Sequence, residues 1–516
     1  MIAKVATVAL LGFEGALVEV ETDIKQGLPA MHIVGMGNKA VDEARERVRS
    51  ALNNSFLDFP ARKVIVNLAP AELPKDGAHF DLPIALSILV GSGQLKETEV
   101  KGALFAGELS LTGELRPIRG AITITEAAVM AGYTKVFVPK ANAQQAAMIK
   151  TAEVIGVTSL KELFLHFKQE KLIRPTTPEV STAVERAHLT IDDIQEQAQA
   201  KRALQIAAAG RHNILLNGPP GAGKTMLAKA LMSLLPPLSK EESLAVTKIH
   251  SITGEREQVI TTRPFRAPHH TTSAIALIGG GAKPRPGEIS LAHLGVLFLD
   301  ELPEYPRAVL EALRQPLEDK SISIARAGGR TTYPADFMLI ATMNPCPCGY
   351  YGDPVKECSC STTQIMAYQK RLSGPLLDRI DLIITVKKVS HNNLLIPKSL
   401  TEKQHTKVFE HIMSAQTEQM NRYNSSNIYN ASLSSKDIQK YLTLSSDARS
   451  LLLSASQKLN LTARSYFKVI KVAQTIADLA EAGPNGPTDI ATNRSKTHLI
   501  KAEHIAEALQ FRGSLS

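Results

Sequence analysis

Glycines at 218, 221 and 223, followed at once by Lys224 and Thr225, are the residues in this chain whose types and spacing most plainly suggest chemistry. The segment Gly218-Pro219-Pro220-Gly221-Ala222-Gly223-Lys224-Thr225 has the pattern of a loop whose backbone N–H groups turn toward the phosphates of a nucleoside triphosphate. Glycine allows that close approach, and a helix beginning near Lys224 and carried by the run Met226 to Leu235 would add its positive dipole end. The Lys224 ammonium could reach the β- and γ-phosphates, and the Thr225 hydroxyl could hold Mg²⁺. The loop needs a strand before it, and the apolar run Ile214-Leu215-Leu216 supplies one.

Two further apolar runs end in polar residues. Val296-Leu297-Phe298-Leu299 leads into Asp300-Glu301, and Phe337 to Thr342 leads to Asn344. Continuous apolar runs of this length suit strands covered on both faces. Beside a phosphate loop, Asp300 could position Mg²⁺ and Glu301 could orient and polarise an attacking water, which Asn344 could help to hold. Read alone, either run could be a core strand reaching the surface.

At 516 residues, 44% of them hydrophobic, the chain has length for about three domains, each with its own core. No apolar stretch has membrane-spanning length and no cleavage-site pattern follows Met1, so a soluble cytoplasmic protein is expected. The net charge of +9 suits a polyanionic partner without requiring one. Cys346, Cys348, Cys358 and Cys360 are the only cysteines. In a reducing compartment they suit a tetrathiolate zinc site, although each pair is closer than the usual two-residue gap, and a redox or structural thiol cluster is the alternative.

Stretches that must position these groups can be read along the chain. Residues 1–168 alternate strand-like and helical runs; a polar, proline-bearing linker spans 169–189; residues 190–388 carry the nucleotide motifs; and 389–516 read as an all-α lid interrupted at Gly483 to Pro487. A basic, glycine-rich insert runs from Arg263 to Gly287 and includes Lys283 and Arg285. It suits a mobile loop touching phosphates, or equally a solvated loop or subunit contact. Before the Asn344 strand, Ser321 to Ile324 and Thr331 to Tyr333 alternate like paired strands around Gly328-Gly329, with Arg326 and Arg330 beside the turn. Those arginines could contact DNA or stand on a solvated turn.

Together Gly218 to Thr225, Gly295 to Leu302, Ala341 to Gly349, Arg371 to Leu382 and Leu461 to Tyr466 resemble an AAA+ ATPase of the magnesium-chelatase-like ComM/YifB family, over nearly the whole chain. The resemblance implies an α/β P-loop ATPase core with a helical lid, using ATP and Mg²⁺. It makes Asn344 the sensor-one residue, Arg379 an arginine finger and Arg464 the sensor-two arginine; surface ion pairs are the plainer reading of both arginines. It further implies a homo-hexamer acting as a helicase or branch-migration motor on single-stranded and branched DNA in natural transformation and recombination, with a recombinase as a partner. A chelatase-type or chaperone-like remodelling ATPase acting on a protein is the rival. The hairpin with Arg326 and Arg330 resembles the pre-sensor-one hairpin of ring helicases. Ile194 stands where the family usually places a glycine ahead of Gln195-Glu196.

On the stretch Ala106 to Gly120, residues 1–168 resemble the proteolytic domain of Lon, an α+β fold of the ribosomal S5 domain 2-like kind. Lon's serine and lysine are absent: the matching stretches read Asp76-Gly77-Ala78-His79-Phe80-Asp81 and Ala121-Ile122-Thr123-Ile124. Without a hydroxyl nucleophile and an amine base the domain should not cleave peptides, and His79 and Asp81 are expected to be structural.

Overall fold

A computed structural model of the chain describes residues 2–35, 39–178, 189–254, 258–281, 285–326, 329–388, 404–481 and 499–512. Lys283, Gly328, the Gly483–Pro487 interruption and much of the 169–189 linker lie outside these residues.

The first part is a seven-stranded mixed sheet. Its strands include β1 (Ala3–Leu11), β2 (Glu14–Lys25), β3 (Ala30–Val34), β4 (Lys63–Ala69) and β5 (Ala103–Phe105). A small hairpin of β6 (Glu108–Leu109) and β7 (Leu115–Arg116) follows, and then the sheet strands β8 (Lys135–Pro139) and β9 (Glu153–Val157). The order is β3-β4-β2-β1-β5-β8-β9, antiparallel in its β1–β2–β4 centre and parallel toward both edges. The helix Asp81–Gly91 is buried from Asp81 through Leu89. That explains why this segment is apolar all round.

The second sheet carries the motif residues. It comprises β10 (Ile214–Asn217), β11 (Phe265–Arg266), β14 (Val296–Leu299), β17 (Met338–Met343) and β18 (Leu382–Thr385), ordered β11-β14-β17-β10-β18 and parallel throughout. Two small ribbons sit in its connections: β12 (Gly279–Gly280) with β13 (Arg285–Pro286), and β15 (Ser321–Arg326) with β16 (Gly329–Pro334). Because all five strands run the same way, Gly218, Asp300 and Asn344 emerge together at the carboxyl edge, where ligands bind in open parallel sheets. β17 lies between the strands that end in Gly218 and Asp300, so the segment leading to Asn344 separates the phosphate loop from the acidic pair.

C-terminal helices Gln404–Tyr423, Ser435–Tyr441, Ser446–Lys458, Ala463–Glu481 and Ala502–Gln510 share one hydrophobic core with the helix Ala198–Gly210 and one face of the parallel sheet. Buried polar groups fix how they dock. Gln416 and Gln419 donate to the carbonyls of Ala208 and Ala209 (each 3.0 Å), and Arg422 is buried against Asp478. Among the described residues no helix is long and apolar enough to cross a membrane.

Candidate nucleotide-binding site

The loop after β10 is shaped by its glycines. Gly221 and Gly223 have φ of 76° and 84°, with nothing within 4 Å of where a Cβ would stand, so the backbone curls around open space as a phosphate cradle requires. At Gly218 the constraint is contact instead: a Cβ would meet the Val386 carbonyl oxygen at 2.3 Å. The Gly218 N–H donates to Met343 O at 3.2 Å, which ties the loop to the end of β17. Pro219 and Pro220 restrict the first half of the loop, and Ala222 is buried beneath it.

Lys224 opens the helix Lys224–Met232 and turns its ammonium back over the loop. It donates to the carbonyls of Gly218 (2.5 Å) and Pro219 (3.1 Å) and to Asn344 Oδ1 (2.9 Å). Burial lowers its pKa, and the nearby Asp300 and Glu301 carboxylates oppose that shift. Thr225 and Met226 are exposed one and two residues further on.

One residue that organises this edge was not singled out from the sequence. The Thr342 hydroxyl, fully buried in β17, donates to Asp300 Oδ1 (2.5 Å) and accepts from the Glu301 N–H (2.9 Å). It therefore fixes both acidic residues across the strand boundary. Glu301 sits at φ 52°, a left-handed conformation that costs a non-glycine residue about 1 kcal/mol or more and is held by such contacts. The sequence signal was a lone hydroxyl in an otherwise apolar strand.

Arg379 and Arg464 lie elsewhere. Arg379 precedes β18 at the amino edge of the sheet, and its backbone carbonyl accepts from Asn213 Nδ2, just before β10 (2.9 Å). Its guanidinium donates to Arg314 O (3.0 Å), Pro375 O (2.6 Å) and the Glu318 carboxylate. Arg464, at the start of the helix Ala463–Glu481, donates to the same Glu318 at 3.2 Å. Both arginines line a cleft of about 620 Å³ bounded by Asn213, Phe337 and Asp381, the residues that precede β10, β17 and β18. The phosphate loop is at the opposite edge. Burial opposes ionisation of Asp381, yet Lys468, His212 and the Asn213 N–H together hold its carboxyl down at about 2.

The ribbon of β15 and β16 pairs Ser321 with Pro334 through Arg326 with Gly329. Gly329 is thus a strand residue paired with Arg326, not part of a turn as the glycine pair suggests, while Gly328 lies outside the described residues. Arg330 is exposed and donates to Ser323 Oγ at 3.3 Å, whereas the Arg326 side chain lies outside the described set. The ribbon is anchored to the turn between β1 and β2: Phe13 meets Tyr333 edge-on at 6.1 Å, and a Cβ at Gly12 would stand 2.3 Å from Thr331 Cγ2.

The Arg263–Gly287 insert corrects the expectation of one basic loop. Arg263 is buried against Glu242 and donates to Pro236 O and Leu294 O, while Arg266 in β11 is paired with Glu288 (2.6 Å). Both are spent on structure because the insert supplies the sheet's edge strand. Its glycines have a packing role: a Cβ at Gly279 would meet Arg285 O at 2.4 Å, and one at Gly287 would meet Gly279 N at 2.4 Å. Arg285 is exposed in β13.

Cys346, Cys348, Cys358 and Cys360 come together, with all four Sγ atoms within 4.8 Å of one another, a group that could hold a metal ion. Against β1 of the seven-stranded sheet, His79 is buried with its ring nitrogen 2.9 Å from Val8 O, and burial pushes its pKa down to about 4. Asp81 accepts two hydrogen bonds from Arg47 and one from the Leu109 N–H. Ile194 has φ −94°, which needs no glycine.

A glycine-curled loop, an acidic pair and Asn344 gathered at one edge of a parallel sheet have the arrangement of an AAA-like P-loop protein. Residues 190–394 match the family described as "Magnesium chelatase, subunit ChlI", residues 20–142 match "Subunit ChlI of Mg-chelatase", and residues 402–512 match "Magnesium chelatase, subunit ChlI C-terminal". The chain is 41% identical over 517 residues to the competence protein ComM of Haemophilus influenzae, covering 99% of this chain and 97% of that one. It is 41% identical over 515 residues to YifB of Salmonella typhimurium, again covering 99% and 97%. A magnesium-chelatase 67 kDa subunit of Chlorobaculum parvum is 26% identical over 161 residues, 30% of this chain and 23% of that one. The chain belongs to the ComM/YifB family of magnesium-chelatase-like AAA+ proteins.

Proposed function

We propose that this protein is a ring-forming ATPase that moves DNA strands, promoting branch migration and the integration of incoming single strands during transformation and recombination. The observation that carries the ATPase half is the convergence of Lys224, Asn344, Asp300 and Thr342 at one carboxyl edge. The open cradle at Gly221 and Gly223 fits a triphosphate, and the exposed Thr225 hydroxyl and Asp300 carboxylate suit Mg²⁺. Lys224 neutralises phosphate charge. Glu301 orients a water and polarises it for attack on the terminal phosphorus, the β–γ bridging bond breaks, and Asn344 steadies the transferred group. Arg379 and Arg464 serve the nucleotide of a neighbouring copy, which calls for a closed ring, a hexamer in this reading.

In this reading residues 1–168 are a non-proteolytic Lon-like domain, 190–388 the motor and 389–516 its lid, working in the cytoplasm. The cofactors are ATP and Mg²⁺, with zinc at the four thiolates. Arg326, Arg330, Lys283 and Arg285 contact DNA phosphates, and a recombinase is a natural partner. The competence name of the Haemophilus relative supports the DNA half. The partial likeness to a chelatase subunit favours one rival, a motor acting on a metal–porphyrin protein. ATP turnover measured with single-stranded DNA, branched DNA, unfolded protein or porphyrin separates them. Several-fold stimulation by DNA alone is expected; stimulation by porphyrin or unfolded protein and not by DNA would replace this reading.

A further inference from the structure

The cysteine cluster is joined to the nucleotide site by the chain itself. Cys346 is fully buried two residues beyond Asn344, on the turn that leaves β17. Gly349 takes φ 84° and donates its N–H to Cys346 O at 3.0 Å; a Cβ there would stand 2.6 Å from Pro220 Cδ. The thiol-bearing loop therefore leans on the phosphate loop at one point and on Asn344 at another. Its other ties are polar, chiefly the Asp353 carboxylate, which pairs with Lys388 at 2.8 Å and accepts from the Val355 and Lys356 N–H groups; most residues from Tyr351 to Cys360 are exposed, with Val355 89% so. A loop with no apolar core needs a crosslink to stay in one conformation.

The sulfur geometry says which crosslink. Cys346 Sγ lies 3.3 Å from Cys348 Sγ and 3.7 Å from Cys358 Sγ, and the latter two are 3.6 Å apart. A disulfide requires about 2 Å. A tetrahedron built on zinc–sulfur bonds of about 2.3 Å has edges of roughly 3.8 Å, close to the three edges among Cys346, Cys348 and Cys358, and Cys360 Sγ lies within 4.8 Å of each of them. The Tyr351 N–H donates to Cys346 Sγ (3.3 Å) and the Cys348 N–H to Cys360 Sγ (3.4 Å), contacts that favour thiolates and orient them. Four soft ligands with no oxygen or nitrogen donor select zinc over magnesium or calcium, and a set closed at four marks a structural centre.

We infer that zinc bound by Cys346, Cys348, Cys358 and Cys360 braces the loop between Asn344 and Pro220, so that ATP hydrolysis depends on the metal more than ATP binding does. The kinetic half rests on the ATPase reading above, while the metal half rests on the sulfur geometry alone. Full-length protein purified with reductant and without chelator is expected to carry about one zinc per chain by elemental analysis. Replacing the outer pair, Cys358→Ser with Cys360→Ser, should remove the zinc and lower kcat roughly 10- to 100-fold, because small displacements of catalytic groups cost that much. Affinity for a fluorescent ATP analogue should hold. If that variant fails to fold, chelator-stripped wild type replaces it, and added zinc should restore its turnover. Wild type without zinc, a mass showing disulfides under reductant, or stripped protein with full kcat would each overturn the brace. Zinc-bound wild type that hydrolyses no ATP would remove the ATPase reading and the kinetic half, leaving the metal half to stand on its zinc content.

Discussion

The two edges of the five-stranded sheet are built differently. At the carboxyl edge, groups from β10, β14 and β17 satisfy one another within the chain: Lys224 meets Asn344, and Asp300 meets Thr342. At the amino edge Arg379 and Arg464 converge on a single carboxylate, Glu318, beside a broad cleft. A parallel sheet cannot bring its two edges together, because four residues of strand already separate them by about 10 Å. In the ATPase reading, this makes one half of a working site self-contained and the other half usable only by a second copy. The same strand links them, since β17 starts beside the cleft and ends at Asn344.

The largest effect should come from breaking either half. Arg379→Ala is expected to bind nucleotide normally and lose turnover by about 10³-fold, the usual range for an arginine finger. Lys224→Ala should lose nucleotide binding or turnover, since a methyl group cannot replace the ammonium. Mixed rings of the two pair an intact phosphate loop with an intact finger, so ATPase activity should partly return on mixing. No recovery in subunits shown to co-assemble would mean that the edges do not cooperate between copies.

Within the carboxyl edge the acidic pair can be split. Glu301→Gln should retain ATP and slow hydrolysis by roughly 10²-fold or more, because the water loses its polarising carboxylate while Asp300 keeps its place. Equilibrium binding and single-turnover hydrolysis separate the two properties. Equal loss of binding in Glu301→Gln and Lys224→Ala would assign Glu301 to the phosphate cradle instead.

How legible each edge was follows from the range of the interactions that make it. Gly218 to Thr225, Asp300-Glu301 and Asn344 stand directly after apolar runs, so a one-dimensional pattern of strand then polar group is enough to find them. Thr342 is not legible in the sequence because its partners are 41 and 42 residues away and its own run reads as core. Glu318 was invisible for the same reason: it meets Arg379 across 61 residues and Arg464 across 146. Arg263 and Arg266 misled because a basic, glycine-rich stretch gives no sign that Glu242 and Glu288 will neutralise it. The helix Gln404–Tyr423 falls within the expected all-α lid, but its docking is not legible, because its buried glutamines make sense only against the carbonyls of Ala208 and Ala209.

The ribbon of β15 and β16 leaves and returns beside the amino-edge cleft, connecting the helix Arg314–Asp319 to β17, and a ligand gripped there could report to Glu318 directly and to Asn344 along β17. Replacing Arg326 and Arg330 with alanine is expected to weaken DNA binding and to flatten its salt dependence by about two units of slope, roughly one per lost phosphate contact. ATP turnover without DNA should survive and its stimulation by DNA should fall. Unchanged affinity, salt slope and strand-displacement rate would return these arginines to a solvated turn and leave the exposed Arg285, with Lys283, as the surface to test.

The smallest effect, and the one that most sharpens the comparison, belongs to Glu318. Its side chain is 51% exposed and that of Arg464 58%, so the pair is screened by water and should contribute no more than about 1 kcal/mol. If Glu318 merely occupies the two arginines until a neighbour's phosphates draw them away, Glu318→Gln frees them at little cost. Turnover at low protein concentration should then rise, by no more than about fivefold, since about 1.4 kcal/mol is a tenfold change. Measuring ATPase rate against protein concentration reads this directly, as a shift of the curve to lower concentration with the plateau unchanged. A fall in the plateau as deep as that of Arg379→Ala would give the opposite answer: Glu318 would then be the residue that aims the arginines, and the amino edge would be as preorganised as the carboxyl edge.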